Sequence, residues 1–100
     1  MEKLKGSQRR YLRSLANQMK PVVFVGKSGL TDAVFTALDE ALDDHELIKV
    51  RFLEHKDQKK SLSAEIETSC RCEMVGMVGH VALFYRRHPD AEKRTIDLPA

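Results

Sequence analysis

Tryptophan is absent from this 100-residue chain, and cysteine (two), proline (three), glycine (five) and aromatic residues (6%) are scarce. Two cysteines cannot build the disulfide framework of a small secreted domain. Their spacing, Cys70-x-Cys72, also fits neither a C-x-x-C redox pair nor half of a zinc knuckle. No apolar run exceeds strand length, so no segment reads as a membrane-spanning helix, and Met1 to Gly6 lacks the apolar stretch of a signal peptide. A cytoplasmic protein with reduced thiols is expected. Repeats, low-complexity tracts and interdomain linkers are missing too. One hundred residues suffice for one hydrophobic core and are too few for a multi-domain enzyme with a buried site and a lid.

Net charge is the last scarcity: 17 Lys and Arg face 15 Asp and Glu, for a formal +2. That near balance conceals an uneven distribution. Residues 1–30 carry +6, residues 31–47 carry −6 with no Lys or Arg, and the remainder carries +2. Such asymmetry hints at an anionic partner, provided that folding gathers the basic block into one surface.

The hydrophobic pattern predicts α-β-α-β-α-β-β, a single α/β domain with a four-stranded mixed sheet and packed helices. Ser7 to Met19 is amphipathic: Tyr11, Leu12, Leu15, Ala16 and Met19 share one arc, and Arg9, Arg10, Arg13, Asn17 and Lys20 the other. Ser7 is the expected N-cap, and Pro21 limits continuation. Pro21 to Val25 reads as a strand covered on both faces, followed by the turn Gly26-Lys27-Ser28-Gly29 and a helix over 32–44 capped at Thr31-Asp32. A strand over 46–53 would place Ile48, Val50 and Phe52 opposite Leu47, Lys49 and Arg51, and would run parallel to the first. A third helix is expected over 58–71, with a thin stripe of Leu62, Ile66, Ser69 and Cys70. Met74–Val78 and Val81–Tyr85, broken by Gly79-His80, predict an antiparallel hairpin. The domain is expected over 1–88, with 89–100 a tail containing at most a short ordered piece.

Gly26-Lys27-Ser28-Gly29 sits where open α/β sheets bind ligands, at the carboxyl end of a strand and the start of a helix. Its glycines would let the backbone approach a phosphate, the helix N-terminus offers unpaired N–H groups, and Lys27 adds a mobile charge. Two glycines are equally what a plain turn requires. A nucleotide-binding P-loop is excluded, because the glycine it needs five residues before Gly26 is Pro21. The stripe Arg9, Arg10, Arg13 and Lys20 is either a solvated helix face or, if that helix lies beside the loop, a continuation of the same cationic surface. Lys56, Lys59 and Lys60, and Arg86, Arg87 and His88, form further basic clusters that read as ordinary solubilising charge.

No nucleophile–base pair, paired acids or metal-ligand set is present, so neither an enzyme, a metal site, a cofactor nor a small-molecule substrate is expected. The aromatics Phe24, Phe52, Phe84 and Tyr85 fall in strands without the pattern of an RRM stacking platform, leaving Tyr11 as the one aromatic on the first helix suited to a base. Recognition is expected to rest on backbone, shape and charge.

Four segments in order, Gln8 to Arg13, Lys20 to Thr31, His45 to Val50 and Val78 to Arg86, resemble a bacterial CRM-domain protein of the YhbY type over roughly residues 2–88. The resemblance implies a stand-alone RNA-binding domain, similar in fold to the C-terminal domain of translation initiation factor 3 and akin to KH domains through its GxxG loop. It further implies a role with ribosomal RNA of the large (50S) subunit precursor. Gly26, Lys27, Ser28 and Gly29 then become the RNA-contacting loop, extended by Arg9, Arg10, Arg13 and Lys20, in a protein expected to be a monomer. The other reading is a protein-interaction module whose acidic second helix docks a basic ribosomal protein.

Overall fold

The first helix, α1 (Gly6–Ala16), begins one residue before the expected start. Ser7 does not cap it. Lys5 occupies the cap position, and the Gln8 side chain accepts its backbone N–H at 2.9 Å. The helix also ends early, because Gln18 and Met19 donate to carbonyls three residues back, a tightened turn that precedes Pro21. The structure, a computed structural model, describes residues 3–100.

From that turn the chain enters β1 (Val23–Val25), α2 (Asp32–His45), β2 (Leu47–Phe52), a short 3-10 turn (Lys56–Gln58), α3 (Lys59–Cys70), β3 (Glu73–Val78) and β4 (Val81–Tyr85). The sheet order is β1-β2-β4-β3. As the pattern predicts, β1 and β2 are parallel across α2, and β3 and β4 form an antiparallel hairpin turning at Gly79-His80. Inserting β4 between β2 and β3 leaves β1 and β3 as the two edges.

Two cores divide the faces. Ile48, Val50, Phe52, Ala82 and Phe84 pack with Leu38 and Leu42 of α2 and Ile66 and Cys70 of α3. On the other face Leu47, Val75, Leu83 and Tyr85 meet Leu12 and Ala16 of α1. The alternation in β2 is therefore as expected. Two details differ. Ser63, not Ser69, turns inward from α3. β1 is covered on one side only: Val23 and Val25 are buried, whereas Phe24 is 50% exposed, since α1 lies over β2, β3 and β4 and leaves that margin open.

Glu46, counted with the acidic outer block in the sequence, is fully buried. It ends α2 at φ 61°, a positive value that costs roughly 1–3 kcal/mol for a residue with a Cβ. Its carboxylate offsets this by accepting the backbone N–H groups of His88, Thr95 and Ile96 at 2.8, 2.6 and 3.1 Å. Those bonds hold the carboxyl below the usual range against the opposing effect of burial. Residues 89–100 contain only the short 3-10 turn Ala91–Lys93, yet Glu46 ties them down, and Ile96 and Leu98 pack against the α1 core.

Candidate nucleic-acid interface

The peptide leaving Val25 folds back at once, because Gly29 donates its N–H to the Gly26 carbonyl at 3.0 Å. Gly29 takes φ +69°, which a residue with a side chain rarely adopts. A Cβ added at Gly26 would meet nothing within 4 Å, so the space beside the turn is open to a ligand. Thr31 caps α2 through its hydroxyl, which accepts the Val34 N–H at 3.2 Å. Asp32 adds one negative charge to the first turn, as the helix dipole favours. Lys27 and Ser28 stand exposed at the apex.

A second loop braces this one. Leu53 and Glu54 donate to the Val25 carbonyl, and His55, itself at φ 56°, reaches back with Nε2 2.8 Å from the Lys27 carbonyl. A carbonyl only accepts, so Nε2 carries the proton and donates. The third contribution comes from the hairpin: Phe52 donates to the His80 carbonyl at 2.8 Å, and Lys59 Nζ donates to the Gly79 carbonyl. Lys59 Nζ also lies 3.3 Å from His80 Nδ1, and the His80 imidazole is held below its ordinary pKa by desolvation and then by Lys59, Lys56 and Arg51. The carboxyl ends of β1 and β2 and the β3–β4 turn thus converge on one corner. Lys27, Arg51 and Lys56 pair there with no carboxylate among the described residues.

The helix arginines are arranged otherwise. Arg9 forms an ion pair with Glu73 and donates to the Met74 carbonyl at 2.7 Å; Arg13 donates to the Val75 carbonyl at 2.9 Å. These carbonyls lie at an irregularity in β3 between Met74 and Gly76. Gly76 makes room for the arrangement, since a Cβ there would lie 2.9 Å from Arg13 Cδ. The structure therefore does not gather Arg9 and Arg13 beside the loop. They grip one edge of the sheet, and the loop leaves the other, roughly 14 Å away across three strand spacings. Arg10 and Lys20 are exposed, on α1 and on the α1–β1 connection.

Arg86 is also committed to the fold. It bridges Asp39 and Asp43 on α2 at 2.8 and 3.1 Å and donates to the Cys70 carbonyl at 2.7 Å. The acidic face of α2 is thus partly neutralised from within. Burial pushes the Cys70 and Cys72 thiols up to about 11 and about 12, so neither is a nucleophile at neutral pH. Among the described residues no three His, Cys, Asp or Glu side chains cluster as metal ligands, and no helix is long and apolar enough to cross a membrane.

Sequence reasoning missed His55, Arg51 and His80 as parts of this corner. The alternation in β2 placed Arg51 on the correct face; nothing in the sequence revealed that the 53–58 loop folds back onto the glycine turn.

Fold and site together define a small α/β domain that presents a braced GxxG turn at the carboxyl end of an edge strand, ringed by unpaired cations. The chain belongs to the CRS1/YhbY (CRM) domain family, whose model matches residues 4–86. It is 38% identical over 87 residues to a Pseudomonas aeruginosa protein named as a probable RNA-binding protein, covering 86% of this chain and 84% of that one. It is 33% identical over 100 residues to a Haemophilus influenzae protein named RNA-binding protein, covering 99% and 98%. The solution structure of a hypothetical protein from Staphylococcus aureus superposes with a TM-score of 0.81 at 36% identity, covering 97% of this chain and all of that one.

Proposed function

We propose that this protein binds RNA without catalysing a reaction, and that its target is ribosomal RNA of the large-subunit precursor during 50S assembly in the cytoplasm. The supporting observation is the corner itself: a glycine turn stiffened by the His55 hydrogen bond, open beside Gly26, with Lys27, Arg51 and Lys56 free of carboxylate partners. A phosphate at the turn would take the free N–H groups at the start of α2 and the Lys27 ammonium, with Ser28 as a further donor. Gly26 and Gly29 permit the close approach. Arg10 and Lys20 extend the cationic surface, while Arg9 and Arg13 contribute only the part of each guanidinium left beyond β3. Residues 1–88 form the binding unit in this reading, and 89–100 brace it through Glu46. The names of the relatives point the same way.

If about five phosphates are engaged, the slope of log affinity against log salt is roughly −3 to −4 for single-stranded RNA. Lys27→Glu is expected to weaken binding across many sequences and to flatten that slope; an unchanged affinity and slope would refute the loop-centred reading. The target is tested by crosslinking in cells and sequencing the attached RNA, where large-subunit ribosomal RNA is the expected catch and messenger RNA the contrary one.

A further inference from the structure

Phe24 is an aromatic side chain that the fold does not use. It belongs to neither core cluster and is 50% exposed. Its partner across the sheet is Arg51, Arg51 pairs with Val81, and Val81 with Val78. These four side chains form one row across all four strands, on the face that α1 covers only at its other end. Val78 is 74% exposed, and Val22 and Leu53 add apolar surface just outside β1 and β2. An open groove of about 280 Å³ continues the row, between Ala16 and Asn17 at the end of α1 and the strand residues Arg51, Val78 and Val81.

Near the row the charge at strand positions has one sign. Lys49 and Arg51 are its cations at strand positions, and among the described residues the one acid at a strand position on this side is Glu73, at the far end and already paired with Arg9. Two residues of extended chain, about 7 Å, separate Phe24 from Gly26, so a phosphate at the glycine turn and a ring on Phe24 lie within reach of neighbouring parts of one nucleotide chain. An apolar protein segment would have no use for Arg51. A nucleobase would use both: its face stacks on the phenyl ring, and its phosphate meets the guanidinium.

We propose that the Phe24–Arg51–Val81–Val78 row is a nucleobase platform, on which single-stranded RNA passing the GxxG turn stacks a base against Phe24. This rests on the RNA-binding reading above and adds a stacked base to the expectation that recognition rests on backbone, shape and charge. The test uses the full chain and three labelled RNAs: a single-stranded oligoadenylate, its abasic counterpart and a fully paired duplex. Phe24→Leu is expected to weaken oligoadenylate binding between about 5-fold and about 100-fold, to leave the salt slope unchanged and to bind the abasic strand as the wild type does. Phe24→Tyr, which keeps the ring, is expected to retain affinity, and an unchanged Tm in both variants shows that the fold is intact. Wild-type affinity of Phe24→Leu for oligoadenylate, or an equal loss on the abasic strand, overturns the platform. If the wild type binds duplex and single strand equally and Phe24→Leu changes neither, the platform falls and the RNA reading stands. If the wild type binds none of the three RNAs, both fall.

Discussion

The cations of this molecule divide into two populations. Arg9, Arg13 and Arg86 are spent on backbone carbonyls and carboxylates within the domain, whereas Lys27, Arg51 and Lys56 at the turn corner have none of these partners among the described residues. Residue type alone does not decide the division, since Arg51 is free while Lys49 and Lys59 donate to the Met19 and Gly79 carbonyls. The planar guanidinium, with several fixed donors, suits a carbonyl and a carboxylate at once, while a lysine at a loop apex keeps a mobile charge for an incoming anion. A basic stripe on a helix is therefore poor evidence of a binding face until the strand beside it is known.

Substitutions should separate the two populations, first by their cost to stability. Arg86→Met keeps the aliphatic stem and leaves the Cys70 carbonyl and two carboxylates without their donor, so unfolding is expected to become easier by about 2–3 kcal/mol in urea titration. Loss below about 0.5 kcal/mol would place Arg86 with the free cations instead. Next in size is a pH effect at Glu46. Its folded pKa is depressed, so its contribution is present above the ordinary value of 4.5 and is lost as pH falls through the folded value. Tm is expected to drop in that window, with release of residues 89–100, visible as faster amide exchange at Thr95 and Ile96. Glu46→Gln should remove the acid-side drop while lowering Tm at neutral pH.

A smaller effect joins Arg13 to Gly76. Gly76→Ala would displace the Arg13 stem from its path to the Val75 carbonyl and cost about 1 kcal/mol; in Arg13→Ala the same change should cost much less, a coupling that a double-mutant cycle measures. Smallest of all, Lys27→Glu and Lys56→Glu are expected to shift stability by less than about 0.5 kcal/mol while weakening RNA binding. A large stability loss in either would erase the distinction between the two populations.

Element order, the parallel β1–β2 pair, the hairpin and the inward set of β2 were legible in the sequence, because periods of 3.6 and 2 report which side of each element is buried. The GxxG turn was legible for the same local reason, with Gly29 at positive φ. Long-range pairings were not. Arg9 reads as solvated from its helix alone, and only the edge position of β3 gives it carbonyls to bind. Glu46 reads as one more acid in a run of six, and its burial depends on a segment some fifty residues later. Phe24 reads as core inside an apolar run, and its exposure follows from where α1 happens to stop.

The grip of Arg9 and Arg13 on β3 bears on a hazard that every open sheet faces. An edge strand with a free row of backbone groups is a template for strand addition by another chain. Here one edge is bent by an irregularity and has two of its carbonyls covered by guanidinium groups, and the other, β1, is only three residues long. Neither margin offers a long, unoccupied ladder, and the bonds of Arg9 and Arg13 to the Met74 and Val75 carbonyls leave less of the sheet's margin open to strand addition.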